Sequence, residues 1–246
     1  YQSLYSNTTG INNTAIGSAA LYFNTTGWNN TALGFNALLS NTIGTDNTAI
    51  GSAALYSNTT GTFNTALGTS ALYSNTTGIE NTAIGRSAGS SNTTGFNNTF
   101  IGNGAQGSTE TVSNQITLGN SAVDSLRCAV TTITALSDRR DKKNIEKLEI
   151  GLDFVKALNP CGWNYDLREN YPDGKADGSK MRKERNHGFI AQDLQELQEK
   201  FKIDLGLVMD DNPDKLETSE GRLLPVMVRA IQELSERLEK LEGGLK

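Results

Sequence analysis

The chain has 246 residues, of which 20% are charged, and a formal net charge of −5, which is the profile of an ordinary folded protein of one or two domains. No stretch approaches the ~18 consecutive apolar residues that a membrane-spanning helix needs. Two cysteines, Cys128 and Cys161, are too few for a disulfide framework, and neither has other ligand residues at metal-binding spacing. We interpret both as packed thiols and expect no metal, no cofactor, no membrane partner and no nucleic-acid partner.

The charge is distributed very unevenly. All four prolines follow Arg127, and only five charged residues precede it: Asp46, Glu80, Arg86, Glu110 and Asp124. Such a shift in composition predicts a boundary between separately folding units. We assign residues 1–120 to a repeat region, 121–136 to a linker or strand, and 137–246 to a second domain with a C-terminal helix over 223–243. Tyr1 falls inside a repeat, so we expect the chain to be part of a longer one.

The first region repeats with a step of 17 residues. Asn-Thr-Thr-Gly or a close variant begins at Asn7, Asn24, Asn41, Asn58, Asn75 and Asn92. A second block, Asn-Thr-Ala-Ile/Leu-Gly, begins at Asn13, Asn30, Asn47, Asn64 and Asn81 and returns as NTFIG at Asn98. Each unit has two glycine corners joined by short legs, and corners that admit positive φ predict one coil of a β-solenoid.

The repeats also predict what lies inside each coil. Asn and Thr at fixed positions are expected to form hydrogen-bonded ladders between coils. The variable aromatic residues Trp28, Phe35, Phe63 and Phe96 are expected to face outward or to pack between chains. Two aliphatic columns are predicted to stack in the interior, one formed by Ile16, Leu33, Ile50, Leu67, Ile84 and Ile101, and the other by Leu4, Leu21, Leu38, Leu55 and Leu72.

Two other interpretations of the repeats are less favoured. The Asn-X-Thr triplets could be glycosylation acceptors, but their regularity favours ladder asparagines. A disordered low-complexity tract is disfavoured by the periodic Leu and Ile. A thin solenoid with small side chains buries little apolar area, so we expect several chains to associate. Residues 7–119 resemble the head repeats of trimeric autotransporter adhesins and similar coils of phage tail fibres, a resemblance that implies a trimeric β-roll shaft.

The seam between the two regions reads SDRRDKKNI from Ser137, with Lys142 five residues after the serine. By itself this pair carries little information, because most such pairs are solvated surface residues. Three longer segments give it weight, in this order: SDRRDKKNIEKLEIGLDFVKALNPCGWNYD, HGFIAQDLQEL and LLPVMVRAIQELSERLEKLE. Together they resemble the intramolecular chaperone domain of phage endosialidases and other tail fibres, the peptidase S74 family, which also occurs in the membrane-bound myelin regulatory factor.

The resemblance implies that three chains associate, that the attached fibre folds, and that each chain then cuts itself between Leu136 and Ser137. Ser137 would be the nucleophile and Lys142 its base. A lysine with the reference pKa of about 10.4 is almost wholly protonated at neutral pH, so a lysine base must first lose its charge. Desolvation against another subunit, together with the cations Arg139, Arg140 and Lys143, would favour the neutral amine and make cleavage depend on assembly.

Several other residues of the second domain are candidates for a role. Lys143 is the alternative base, and His187 and Asp138 are candidate auxiliary residues, although a structural role for His187 is favoured. Gln192 and Asp193 are expected to cap a helix from Asp193 to Phe201. Residues 166–183 are expected to form a loop or an extended hairpin.

The end of the chain has a heptad pattern. Steps of three and four residues connect Leu224, Met227, Ile231, Leu234, Leu238, Leu241 and Leu245. Pro225 is tolerated in the first turn. A helix that packs on its own core could show the same pattern, but the charged residues around it, including Glu233 and Arg237, favour a short bundle between chains.

The expected fold is therefore a mainly β N-terminal solenoid followed by an α+β chaperone domain that ends in a trimeric coiled-coil-like helix. The expected function is that of a homotrimeric tail fibre segment of a virion, which meets a host-cell surface receptor through the wider fibre, a glycan being one candidate for that receptor. An alternative is a bacterial cell-surface adhesin stalk whose trimerisation domain stays attached. A third, glycan-cleaving enzyme lacks paired carboxylates, because Asp46 and Glu80 are isolated.

Overall fold

The structure, a computed structural model, describes residues 2–123, 125–127 and 137–243. The chain divides into two compact units, Tyr1–Thr132 and Ile133–Lys246. Cys128, Leu136 and Leu245 lie outside the described residues, so the predictions for them stay predictions.

The first unit is a β-solenoid of about six turns. Its described residues form seven three-residue strands: β1 (Thr14–Ile16), β2 (Thr31–Leu33), β3 (Thr48–Ile50), β4 (Thr65–Leu67), β5 (Thr82–Ile84), β6 (Thr99–Ile101) and β7 (Ile116–Leu118). Each strand pairs in parallel with the next, so that a residue lies beside its equivalent one coil later. The solenoid and its 17-residue period are thus confirmed.

The interior of the solenoid differs from the prediction in one column. Leu21, Leu38, Leu55 and Leu72 are fully buried as expected, but the column that begins at Ile16 faces outward, with Ile16 59% and Leu67 45% exposed. Alternate residues of a strand face opposite sides, so the central residue, which is alanine in β1 to β5, turns inward instead. Those alanines, Ala32, Ala49, Ala66 and Ala83, are fully buried.

Two asparagine ladders complete the interior. Asn58 Nδ2 donates to Asn41 Oδ1 of the preceding coil at 2.8 Å and to the carbonyl oxygen of Gly61 at 3.0 Å. In the second ladder, Asn64 Nδ2 donates to Asn47 Oδ1 at 3.1 Å. The ladder asparagines from Asn24 to Asn98 are buried, which closes their amides to glycosylation in the folded solenoid. The outward prediction for Trp28, Phe35, Phe63 and Phe96 agrees with their exposure.

The two glycine corners have different physical causes. Gly51 has φ +135, and a Cβ there would lie 2.6 Å from the backbone of Gly68 in the next coil. Gly61 needs no positive φ; a Cβ would instead lie 2.4 Å from the ladder oxygen Asn58 Oδ1. The prediction of positive φ is therefore wrong for the Asn-Thr-Thr-Gly corner, where glycine is required for space. The leucine column has the unpredicted left-handed backbone, as at Leu38 (φ 52).

The second unit is a mixed α/β region. Its helices are α1 (Leu152–Ala157), α2 (Ala191–Phe201) and α3 (Leu224–Gly243), and its strands are β8 (Cys161–Asn164), β9 (Arg185–Gly188), β10 (Val208–Met209) and β11 (Glu217–Thr218). Strands β8 and β9 pair antiparallel, as do β10 and β11. The described residues of this unit also form three short 3-10 helices, Arg139–Asp141, Arg168–Asn170 and Glu220–Leu223. The core is formed by Phe154, Leu194, Leu197, Leu207, Leu223 and Val226.

The loop between β8 and β9 is ordered by two side chains. Tyr171 Oη donates to Asp166 Oδ1 at 2.6 Å and accepts from the backbone N–H of Lys180 at 2.8 Å. Asp166 Oδ2 also accepts from the N–H of Gly178 at 2.8 Å. Residues 166–183 are therefore the loop of a long hairpin, in agreement with the expectation.

Helix α3 has two apolar faces. Val226 and Ala230 are buried in the domain, whereas the predicted heptad residues remain exposed: Leu224, Met227, Ile231, Leu234, Leu238 and Leu241. Glu233 turns toward the domain, where its Oε2 accepts from the backbone N–H of Leu152 at 2.9 Å. Gly151, the N-cap residue of α1, makes no side-chain capping bond. Glu233, which lies 81 positions after Leu152 in the sequence, caps the helix instead.

Candidate active site

Ser137 and Lys142 are in direct contact. Lys142 Nζ donates a hydrogen bond to Ser137 Oγ across 2.7 Å, and both residues are exposed in the single chain. A 3-10 turn at Arg139–Asp141 lies between them, and the N–H of Lys142 donates to the carbonyl oxygen of Arg139 at 3.2 Å. The turn reverses the chain, so that a residue five positions later returns to the serine.

Asp138 begins this turn. Its Oδ1 accepts from the backbone N–H of Arg140 at 2.8 Å, which is the bond that an N-cap residue makes. The Arg140 guanidinium donates two further hydrogen bonds to the same carboxylate, from Nε at 3.1 Å and from a terminal nitrogen at 2.6 Å. These bonds lower the pKa of Asp138 below its usual 3.8, the Arg140 side chain being the largest cause.

The other predicted residues take different positions. Lys143 is exposed, and among the described residues only Lys142 donates to Ser137 Oγ. His187 lies in β9 opposite Gly162, and within the described part of the chain its imidazole makes no hydrogen bond to Ser137 or Lys142. Its auxiliary role stays a prediction.

The capping prediction for α2 is wrong. The helix begins at Ala191, two residues earlier than expected, and its N-cap Ile190 makes no side-chain bond. Asp193 lies inside the first turn, where a carboxylate stabilises the positive end of the helix dipole. It also accepts from Asn159 Nδ2 at 3.3 Å.

The sequence predicts Arg139 and Arg140 only as neighbouring cations and does not predict the hydrogen bonds of the Arg140 guanidinium to the Asp138 carboxylate. The signal in the sequence is the order Asp-X-Arg directly after the serine. Aspartate is a preferred N-cap residue, and its carboxylate accepts a hydrogen bond from the backbone N–H two residues later. The capping role of Glu233 left no local signal, because its partner Leu152 is distant in sequence.

Among the described residues, no group of three His, Cys, Asp or Glu side chains could hold a metal ion. In the same part of the chain, no helix has the length and apolar character to cross a bilayer. The site brings a hydroxyl into contact with an amine, the two groups that a serine nucleophile and a lysine base would need.

In a comparison with known proteins, this site lies at the beginning of a segment that matches a domain family. Residues 137–202 match the family model Peptidase_S74, described as chaperone of endosialidase, and the match begins at Ser137. No curated protein and no solved structure matches the chain. The family is known for self-cleavage. Residues 137–202 are therefore similar to the chaperone-of-endosialidase domain of the Peptidase_S74 family, and in the sequence they follow a β-solenoid of 17-residue turns.

Proposed function

We propose that this chain is a segment of a phage tail fibre whose second domain drives trimerisation and folding of the solenoid and then releases itself by cleavage between Leu136 and Ser137. The combination of domain and solenoid fits a tail-fibre-like protein. The observation that carries the self-cleavage is the 2.7 Å contact between Lys142 Nζ and Ser137 Oγ at the first residue of the family match.

The proposed reaction needs no external reagent except water. Ser137 Oγ attacks the carbonyl carbon of Leu136 while neutral Lys142 Nζ takes the hydroxyl proton. The bond from that carbonyl to the Ser137 nitrogen breaks, the nitrogen takes a proton from Lys142, and the Leu136 acyl group remains as an ester on Oγ. Water then hydrolyses the ester, which gives the Leu136 carboxylate and restores the serine hydroxyl.

In this proposal, association of the chains activates cleavage. In the single chain the side chain of Lys142 is exposed to water. Contact with a second copy would remove water from the amine and favour its neutral form. Cleavage would then follow trimerisation, so that each chain is cut only after its folding helper has acted.

Two uncharged apolar surfaces support association with further copies of the same chain. The outward column from Ile16 to Ile101 recurs once per coil, so that parallel copies can match coil for coil. The exposed heptad face of α3 offers the same match between helices. After release of the domain the assembled shaft would have lost its refolding route, which gives it kinetic stability.

The decisive experiment is the intact mass of the purified chain under denaturing conditions. We expect two fragments that divide before Ser137, and a single uncut chain for Ser137→Ala and for Lys142→Ala. Lys143→Ala is the matched control, because it removes the adjacent cation and leaves the contact with Ser137 in place. We expect it to cleave.

Cleavage of the Ser137→Ala chain at the same bond would overturn the proposed chemistry. An uncut wild-type chain that is a trimer in solution would instead favour the alternative function, a surface adhesin stalk with a permanent trimerisation domain. A host receptor, a glycan included, would in either case be met through the wider fibre.

A further inference from the structure

We propose that Asp138 and Arg140 are positioning residues for cleavage: the Asp138 carboxylate caps the turn that returns Lys142 to Ser137, and Arg140 keeps that carboxylate away from the lysine. This inference rests on the proposed self-cleavage. Neither side chain has a hydrogen bond to Ser137 or Lys142 within the described residues, so each acts through the geometry and charge of the pair.

The first part of the inference concerns the turn. A 3-10 turn of three residues has few internal hydrogen bonds, and here the backbone contributes those from Asp141 to Asp138 and from Lys142 to Arg139, both at 3.2 Å. The Asp138 side chain adds the bond to the Arg140 N–H at 2.8 Å. Without this cap the turn would sample open conformations in which Lys142 is away from the serine.

The second part concerns charge. Asp138 is the residue next to the nucleophile, and in this proposal its carboxylate, once freed from Arg140, turns toward Lys142 and forms an ion pair with it. Such a pair would stabilise the charged ammonium and oppose its use as a base. The Arg140 guanidinium donates to both carboxylate oxygens of Asp138 at distances between 2.6 and 3.1 Å. The negative charge of Asp138 is therefore paired with an arginine, which stays protonated and does not act as a base.

The test is the cleavage rate of the full chain during cell-free synthesis, followed on denaturing gels. Asp138→Ala removes the acceptor and should slow cleavage about three- to thirtyfold, whereas Asp138→Asn keeps an N-cap acceptor and should stay within about twofold of wild type. Asp141→Ala is the matched control, because this exposed carboxylate in the same turn makes no side-chain hydrogen bond among the described residues. It should cleave at the wild-type rate.

The pH profile distinguishes positioning from a general structural role. Arg140→Gln frees the Asp138 carboxylate to pair with Lys142, so its cleavage should be slower than that of the wild type at neutral pH, and the difference should shrink as the pH rises. The double variant Asp138→Asn/Arg140→Gln has no free carboxylate and should return to the wild-type profile. A loss of the fold would slow cleavage at every pH. As a further control, Arg140→Gln and the double variant, made in the Ser137→Ala chain, should leave its unfolding temperature unchanged.

Three outcomes would overturn the inference: a wild-type rate for Asp138→Ala, an equal loss for Asp138→Asn and Asp138→Ala, or an unshifted profile for Arg140→Gln. Each of these leaves the proposed self-cleavage standing as long as Ser137→Ala abolishes the cut. Failure of the proposed function is a different result, namely cleavage in the Ser137→Ala chain.

Discussion

Buried asparagines take the place of a larger apolar core in the solenoid. A buried amide stabilises a fold only when its donors and acceptors are satisfied, because an unpaired buried polar group costs about 1–3 kcal/mol. Asn58 meets this condition, since it donates to Asn41 and Gly61 and accepts from Asn75 Nδ2 at 2.9 Å. Each ladder amide thus depends on its neighbours in the coils before and after it.

We expect Asn58→Ala to lower the free energy of unfolding by about 2–4 kcal/mol, because it leaves the Asn41 oxygen without its donor and interrupts the ladder. The measurement is urea unfolding of the Ser137→Ala chain, which keeps one covalent species. Thr60→Ala, at an exposed position of the same turn, is the control and should change the free energy by less than about 0.5 kcal/mol. Equal effects of the two substitutions would contradict a special role for the ladder.

The Tyr171 phenol is the residue in the β8–β9 loop whose ionisation reports on the structure. Burial, and then the hydrogen bond to Asp166, raise the pKa of Tyr171 above its usual 10.0. A folded-state pKa above the unfolded value means that the contribution of Tyr171 is fully present below pH 10 and is lost as the pH rises through the folded-state pKa. The loop should therefore keep its order until the solution is strongly alkaline.

This prediction can be measured by ultraviolet titration of the tyrosines. The wild-type curve minus that of Tyr171→Phe should contain one phenol with a midpoint above 10.0. Removal of the hydroxyl should also make residues 166–183 more susceptible to proteolysis at neutral pH, because the N–H of Lys180 loses its acceptor. A midpoint at or below the usual value would show that the phenol is solvated in the folded chain.

At the scale of the element, one coil departs from the repeat in two places that compensate each other. Gly89 stands where earlier coils have leucine, and Phe100 stands where they have alanine. Phe100 is fully buried, and a Cβ on Gly89 would lie 2.4 Å from its ring. Phe100 therefore fills the space that the missing leucine leaves.

A double-mutant cycle tests this exchange of volume. Phe100→Ala should cost about 3–5 kcal/mol through the cavity it leaves, and Gly89→Leu should cost about 1–3 kcal/mol through overpacking. The double variant restores the repeat and should recover most of both losses. The backbone already suits leucine, because Gly89 has φ +58 and Leu72 has φ 49. Additive losses in urea unfolding would mean that the two positions do not share one space.

At the scale of the whole molecule, the outward apolar column gives the proposed trimer its clearest test. A charge in the centre of an interface between copies is buried without a partner, which weakens association strongly. We expect Leu67→Glu to raise the dissociation constant of the Ser137→Ala trimer by about tenfold or more. Sedimentation measures the change, and the wild-type sequence with this substitution should also cleave more slowly.

Phe63→Glu is the control for this substitution. Phe63 is 59% exposed, more than Leu67 at 45%, so exposure alone would predict an equal or larger effect. The column of Phe63 already contains Asp46 and Glu80, one coil away on either side, so a further carboxylate should be tolerated. If Phe63→Glu disrupted association and Leu67→Glu did not, the interface would lie on a different side of the solenoid.

The sequence alone determined the period, the parallel register and the two-part organisation of this protein. A constant step of 17 residues predicts the stacking of the coils, because equivalent residues lie beside each other when each coil repeats the previous one. The candidate pair could also be predicted, since Ser137 and Lys142 are separated by one short turn and lie in a recognisable order of motifs. Local interactions and periodic patterns are readable from sequence for this reason.

Only the tertiary structure decided which side of each pattern faces inward. The Ile16 column and the central alanines are one residue apart, and hydrophobicity favoured the larger side chains, yet in the coils that contain the buried leucine a methyl group occupies the inward position. The same holds for Glu233, which lies beside a heptad pattern and caps a helix 81 positions away. Available space and distant partners are properties of the packed chain, and no single stretch of sequence contains them.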